Sequence, residues 1–421
     1  MSDSFSTLQR RVLLGIVIAY SAAYLNRLNL SAGLGSLMDA FGVSAAAAGL
    51  LQTAFAIIYA AGQFINGAIV DRISPVRHIL TGIVGTGICN LLMGFAGSYP
   101  VFMVLCMLNG AFQSMLWTPI VCLVALCFHT DSERGRANFV CSFTIVFGHL
   151  SAWAISGALI EAVGWRLSFI VPAVLMIPVL LAVLFLLRDI RGAGTGRVQQ
   201  ESAEDTPAPA RVPALKAFMQ TGFGFILIAC VLSGFVRDGI VTWTPEILRG
   251  YMRGSSLSST AFSLIIPCVN ALGILAGYWL RRNTRNTRKM VSYMLFICTG
   301  FCLLLPVGRG ILSCSLLMGF ACACQFGINP MLTTLIPLEY DRLGRTGLAA
   351  GLIDSFIYIG SALAGVIDGG IYEASGSGML FFTWAGSALL SAVVIYLAGT
   401  RRPMRAMEQL ATAGSGKGEA E

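Results

Sequence analysis

Residues 12–34 read VLLGIVIAYSAAYLNRLNLSAGL, a run whose one formal charge is Arg27. A helix needs roughly 20 apolar residues to cross the hydrocarbon layer of a bilayer, so this segment can span it. No small-residue cleavage site follows a short apolar core, which makes the run a retained helix rather than a removed signal. Similar runs recur along the chain. Together they predict helices near 12–34, 45–70, 78–97, 100–128, 137–160 and 165–187, then near 219–245, 257–280, 288–308, 310–337, 345–370 and 375–399. The expected fold is an all-α polytopic membrane protein.

Composition agrees. Of 421 residues, 56% are hydrophobic and 11% charged, whereas soluble domains carry about 25% charged residues to face water. The chain has too few charges to cover a soluble particle, so lipid is its main solvent. Its net charge of +8 is dispersed among loops. No basic stripe with interleaved aromatics forms a groove, and nucleic acid is not expected as a partner. All twelve cysteines fall in apolar segments, where they act as small hydrophobes. Cys322 and Cys324 stand too close for a usual zinc pair, and no histidine cluster accompanies them. Neither metal, cofactor nor disulfide framework is expected. With no nucleophile–base or metal-ligand set, an enzyme is not expected either.

The one long polar stretch, 188–213, includes Thr206-Pro-Ala-Pro and scattered charges and reads as a flexible linker. It divides the chain into a six-helix bundle over 1–187, a cytoplasmic linker over 188–213, a second bundle over 214–400 and a cytoplasmic tail over 401–421. Only Arg166, Arg249, Arg253 and Arg309 lie in loops on one side. The other side holds the remaining loop cations, among them Arg72, Arg77, Arg134, Arg136, Arg281, Arg282 and Lys289. Cytoplasmic loops are the Lys/Arg-rich ones, so both termini are expected in the cytoplasm of a multi-pass plasma-membrane protein. A monomer is expected.

The halves echo each other. Arg27 and Arg237 lie 210 positions apart, each in the first span of its half. Asp71-Arg72 matches Arg281-Arg282 at nearly that offset, and Glu133-Arg134-Gly135 matches Asp341-Arg342-Leu343-Gly344. Three landmarks in one register indicate a duplicated unit, two pseudo-symmetric six-helix bundles with the ligand site between them.

Two charges stand where lipid should exclude them. Arg27 lies in Tyr24-Leu-Asn-Arg-Leu-Asn29 and Arg237 in Gly234-Phe-Val-Arg-Asp-Gly239. An arginine near the bilayer centre costs about 2.5–3.5 kcal/mol or more, so each must face a watery cavity or a partner. At equivalent positions the two guanidiniums converge on a central cavity as a fork for phosphate or carboxylate oxygens. The competing explanation is local: Asp238 neutralises Arg237, and Arg27 snorkels to an interface. Adjacent helical residues point about 100° apart, so a direct Arg237–Asp238 pair is expected to be geometrically poor.

Other polar residues in the spans allow two readings each. Tyr59 with Gln63, Gln113 with Trp117, and Asp354 with Tyr358 are four apart and share a helix face. Each pair suits a cavity wall and equally suits helix packing. Asp354, a carboxylate inside a span, is a proton-coupling candidate; His149 is either a proton carrier or a packing histidine. In Gly67-Ala-Ile-Val-Asp71-Arg72-Ile-Ser-Pro75-Val-Arg77, Asp71 and Arg72 form either a gating latch or ordinary topology-setting charges.

This loop resembles the signature of the major facilitator superfamily. Several segments resemble its organophosphate:phosphate antiporters, such as the glycerol-3-phosphate and hexose-phosphate transporters: Tyr24-Leu-Asn-Arg27, Gly67 to Pro75, Gln113-Ser-Met-Leu-Trp117-Thr-Pro119, Glu133-Arg-Gly135 and Val236-Arg237-Asp-Gly-Ile240-Val-Thr-Trp243-Thr-Pro245. The resemblance implies that Arg27 and Arg237 bind a phosphoryl group. It also implies that Tyr24, Tyr59, Trp117 and Tyr358 line the pocket, and that an organic phosphate enters as inorganic phosphate leaves by alternating access. The chain departs from that pattern at Gln63 and Leu28, where basic residues are common, and at Asp354, an added acid. These departures lower the cavity's positive charge. The alternatives are a proton-coupled carboxylate or organic-anion symporter and a non-transporting sugar-phosphate sensor. The expected partners are thus a small anionic substrate and the bilayer.

Overall fold

Twelve helices long and apolar enough to cross a membrane occur among the described residues of the computed structural model. Those residues are 6–69, 74–128, 130–190, 221–251, 261–283, 286–308, 310–340 and 346–400. The first six long helices are α1 (Thr7–Ala32), α2 (Ala45–Ile69), α3 (Pro75–Gly94), α4 (Tyr99–Cys127), α5 (Asp131–Val163) and α6 (Leu167–Leu186). The second six are α7 (Phe223–Tyr251), α8 (Ile265–Asn283), α9 (Thr287–Leu304), α10 (Ile311–Pro330), α11 (Thr346–Ser375) and α12 (Ser377–Thr400). An even number of crossings puts residues 6 and 400 on one face, here the terminal face.

The helix ends follow from local chemistry. At α1, Ser6 and Gln9 exchange side-chain and backbone hydrogen bonds in a capping box. Glu133, part of a motif prominent in the sequence, does the same for α5: its backbone N–H donates to Thr130 Oγ1 at 3.2 Å, and its carboxylate accepts from Thr130 N–H at 3.3 Å. Pro75 and Pro100 occupy first-turn positions of α3 and α4, where a missing N–H costs nothing. Large apolar side chains such as Phe64, Ile177, Leu181, Phe185 and Phe382 point outward, as a lipid-facing surface requires.

Packing repeats with a six-helix offset. In the first half α1 packs on α5 and α6, α2 on α4, and α3 on α4 and α6; in the second, α7 packs on α11 and α12, α8 on α10, and α9 on α10 and α12. This is the pseudo-symmetry expected of the duplicated landmarks. The halves meet where α2 packs on α11, α5 on α8 and α1 on α7. The α2–α11 contact is the tightest. A Cβ on Gly49 would strike the Gly365 carbonyl, and one on Gly369 would meet the backbone of Ala45 and Ala46.

Three details differ from the sequence reading. A short helix, Leu34–Phe41, follows α1 and ends on Gly42 in the left-handed region at φ 62°. α5 starts at Asp131, not near 137, because the Thr130–Glu133 cap begins it earlier. After Pro330 the backbone of α10 loosens into a π-turn, Met331–Leu335, before Ile336–Leu338. The linker and tail assignments lie outside the described residues beyond Ile190 and Thr400.

Candidate functional site

A cavity of about 530 Å³ lies between the halves, lined from α1, α2, α4, α5, α7, α8, α10 and α11. Its walls run from Arg27, Ser31 and Thr242 down to Arg136, Phe139, Tyr278 and Leu335 near the terminal face. Towards the opposite face the halves are joined. Ser31 Oγ donates towards the carbonyls of Val241 (2.8 Å) and Thr242 (2.9 Å). Arg249 Nη2 lies 2.8 Å from Asp39 Oδ2, and Ala46 N–H donates to Glu373 at 3.0 Å.

Arg27 projects from α1 into an aromatic box. Its guanidinium carbon lies 4.9 Å from the ring centre of Phe55, 5.1 Å from Tyr59, 5.4 Å from Tyr358 and 5.9 Å from Tyr24. Its one hydrogen bond among the described residues is a long one, Nη1 to the Tyr358 hydroxyl at 3.4 Å. No carboxylate among those residues forms an ion pair with it. Ring faces attract a cation by about 0.5–2 kcal/mol each, which holds the group in place without neutralising it.

Arg237 is held differently. Its Nε and Nη2 donate to Asp238 Oδ1 and Oδ2 at 2.8 and 3.0 Å, and Nη1 donates to Asn329 Oδ1 at 2.9 Å. The expectation that Asp238 is badly placed is therefore wrong. The long arginine side chain curls back, so the 100° between the two Cβ directions is no obstacle. A guanidinium has five N–H donors; with three committed, two remain for a ligand. Snorkelling is excluded for Arg27 and Arg237 alike, since both line the cavity.

The α1 backbone beside Arg27 sits in a lattice of amides. Asn90 Nδ2 and Asn109 Nδ2 both donate to the Asn26 carbonyl, at 3.0 and 3.1 Å. Gln113 donates to the Ala23 carbonyl at 3.2 Å, and Asn29 Nδ2 reaches Asn90 Oδ1 at 2.8 Å. Such groups pair inside the bundle because lipid offers no alternative partner. Asn26, Asn90, Asn109, Asn329 and Phe55 were missed by sequence reasoning. Asparagines inside apolar runs were the available signal.

The paired candidates separate. Tyr358 and Asp354 both line the cavity, as do Tyr24 and Trp117. Gln113 is buried behind Trp117 on the amide lattice. Tyr59 and Gln63 are absent from the lining. Gln63 Nε2 donates to the Tyr59 hydroxyl at 2.6 Å while Thr118 Oγ1 donates to Gln63 Oε1 at 2.8 Å. This packed pair backs the Arg27 box, with Tyr59 4.4 Å from Tyr358 between ring centres. His149 reaches the cavity and packs 5.2 Å from Tyr24 and 5.5 Å from Phe326; its Nδ1–H donates to the Ile145 carbonyl at 2.8 Å. Asp71 and Arg72 lie outside the described residues.

Twelve crossings in two matched halves around a shared, charge-bearing chamber define a polytopic membrane transporter. A sequence profile described as Major Facilitator Superfamily matches residues 16–346, and the chain belongs to that family. It is 26% identical over 413 residues to a protein of Bacillus subtilis (strain 168) named glycerol-3-phosphate transporter, covering 93% of this chain and 90% of that one. It is 25% identical over 392 residues to the membrane sensor protein UhpC of Escherichia coli (strain K12), covering 85% and 84%. A solved bacterial homologue of the human lysosomal transporter Spinster superposes with a TM-score of 0.71 at 16% identity, over 98% of this chain and 99% of that one. That likeness concerns the fold alone.

Proposed function

We propose that the protein is a secondary active transporter of an organic anion, exchanging an organophosphate for inorganic phosphate by alternating access. The observation that carries this is Arg27: a guanidinium with no carboxylate partner among the described residues, boxed by aromatics in a chamber that both halves share. Arg237 completes the clamp with its two uncommitted donors, held in place by Asp238 and Asn329. Tyr24, Trp117 and Tyr358 wall the ligand, while Tyr59 and Gln63 buttress Arg27 from behind.

The physical logic is electrostatic. An unneutralised guanidinium resists enclosure in a low-dielectric bundle, and a bound anion removes that penalty. Both strokes of the cycle then need an anion, which is exchange. The bundles 1–187 and 214–400 would rock about the chamber. Positive loops would make the terminal face cytoplasmic, and the chamber's walls run towards that face. The relative named for glycerol 3-phosphate transport supports a phosphorylated ligand, and the one named as a membrane sensor supports a sensing role.

Proteoliposomes test the reading. Internal phosphate should stimulate uptake of labelled glycerol 3-phosphate by about tenfold or more over unloaded vesicles. Asp354 favours a second reading, proton-coupled symport of an organic anion with Asp354 or His149 carrying the proton. Uptake that ignores internal phosphate and follows an inward pH gradient would replace exchange with symport. Tight binding with no flux in either assay would leave a sensor.

A further inference from the structure

Not every charge in the chamber has a direct partner among the described residues. Asp238 is tied to Arg237 by two hydrogen bonds. The other acids of α7 and α11 that reach the packed interior or its outer end also have donors. Glu246 has Arg249, Asp368 accepts from Trp384 Nε1 at 2.9 Å, and Glu373 accepts from Ala46 N–H. Asp354 is the exception. It lines the cavity, and among the described residues no donor or cation pairs with its carboxylate. One unpaired cation, Arg27, and one unpaired anion, Asp354, therefore share a single chamber.

We infer that the ligand is zwitterionic, an amino-substituted organophosphate or phosphonate whose anionic group binds Arg27 and whose ammonium binds Asp354. This rests on the organic-anion reading above and narrows it. A carboxylate standing in an anion site repels a plain dianion, and that repulsion discriminates against it. An ammonium reverses the sign, donating N–H groups to both carboxylate oxygens in a charge-assisted contact. Asp354 stands one helical turn from Tyr358 on α11, and the Tyr358 hydroxyl lies 3.4 Å from Arg27 Nη1, so the acid and the arginine border the same part of the chamber. The tyrosine and tryptophan faces of Tyr20, Tyr24, Trp117 and Tyr358 around the same space also favour a cation.

The test uses the purified full-length protein and two probes that differ by one amine, 2-aminoethyl phosphate and ethyl phosphate. Affinities are measured by calorimetry for the wild type, Asp354→Asn and Asp354→Glu. The wild type should prefer the amine by about tenfold or more, the scale expected when a site's polar group is left unpaired. In Asp354→Asn the ratio of the two affinities should fall to near one, and Asp354→Glu should recover part of it. Equal wild-type affinities, or a preference that survives Asp354→Asn, would overturn the inference while leaving the organic-anion transporter intact. So would equal affinities accompanied by loss of pH-gradient-driven uptake in Asp354→Asn, which would make the acid a proton carrier. If neither phosphate binds the wild type, the organophosphate reading falls with it.

Discussion

Arg237 turns back onto its chain neighbour Asp238, with Nε 2.8 Å from Oδ1 and Nη2 3.0 Å from Oδ2. Arg27, its counterpart in the first half, has no carboxylate partner among the described residues and rests among four ring faces. The two arginines occupy matching places in a duplicated fold but differ in electrostatic state, and that asymmetry separates their expected mutant behaviour.

Asp238→Asn leaves Arg237 partly unpaired. Losing one member of a well-packed ion pair costs up to about 3–5 kcal/mol, less here because the pair borders a chamber. The variant should melt earlier than wild type without ligand. Added phosphate should raise its midpoint more than it raises that of wild type, because the anion replaces the missing carboxylate. Thermal-shift curves with and without phosphate read this directly. An identical phosphate shift in both proteins would mean that Arg237 does not face the ligand.

Arg27→Lys keeps a cation but loses the planar fork and most of the contact with the aromatic box. Transport should fall at least about tenfold, equivalent to roughly 1.4 kcal/mol of lost binding. Size-exclusion profiles should stay monodisperse, since no ion pair is broken. Wild-type uptake by this variant would remove Arg27 from the clamp.

Closure at the opposite face rests on contacts of unequal weight. The Arg249–Asp39 pair is 2.8 Å long, but the Asp39 side chain is 69% exposed; such pairs are worth about 0–1 kcal/mol. Gly49, by contrast, sits where any Cβ would collide with the Gly365 backbone. Asp39→Asn should therefore change exchange rates less than about fivefold, while Gly49→Val should slow exchange far more by wedging α2 from α11. Spin-label distances between the opposite-face ends of these helices should lengthen in Gly49→Val alone. An unchanged distance would mean that the glycine contact does not control closure.

How much of this was legible beforehand depended on whether a signal was local. The twelve apolar runs and the Arg27–Arg237 register appear in the sequence because bilayer thickness and insertion cost act on each segment separately. Capping at Thr130 and Glu133 was also written locally, although its effect on the start of α5 was not drawn from it. The fate of Arg237 was not legible, because a Cβ-direction argument ignores how far a guanidinium can curl. Nor could helical spacing tell that Gln63 faces Tyr59 and Thr118 instead of the chamber. The rotation of α2 is set by packing on α4 and α11, a relation between distant parts of the chain.

The asparagine lattice gives a graded final test. Asn90 donates to the Asn26 and Thr86 carbonyls and accepts from Asn29, whereas among the described residues the Asn109 side chain makes one hydrogen bond, its donation to the Asn26 carbonyl. Hydrogen bonds between membrane helices average about 0.6 kcal/mol each, and an orphaned buried partner adds to the loss. Asn90→Ala should thus lower the melting midpoint more than Asn109→Ala. Both should raise the KM for the transported anion more than they lower kcat, since the lattice positions the backbone that carries Arg27. If both variants melt like wild type and keep its KM, the lattice neither stabilises α1 nor aims the arginine, and Arg27 must be held by its aromatic box alone.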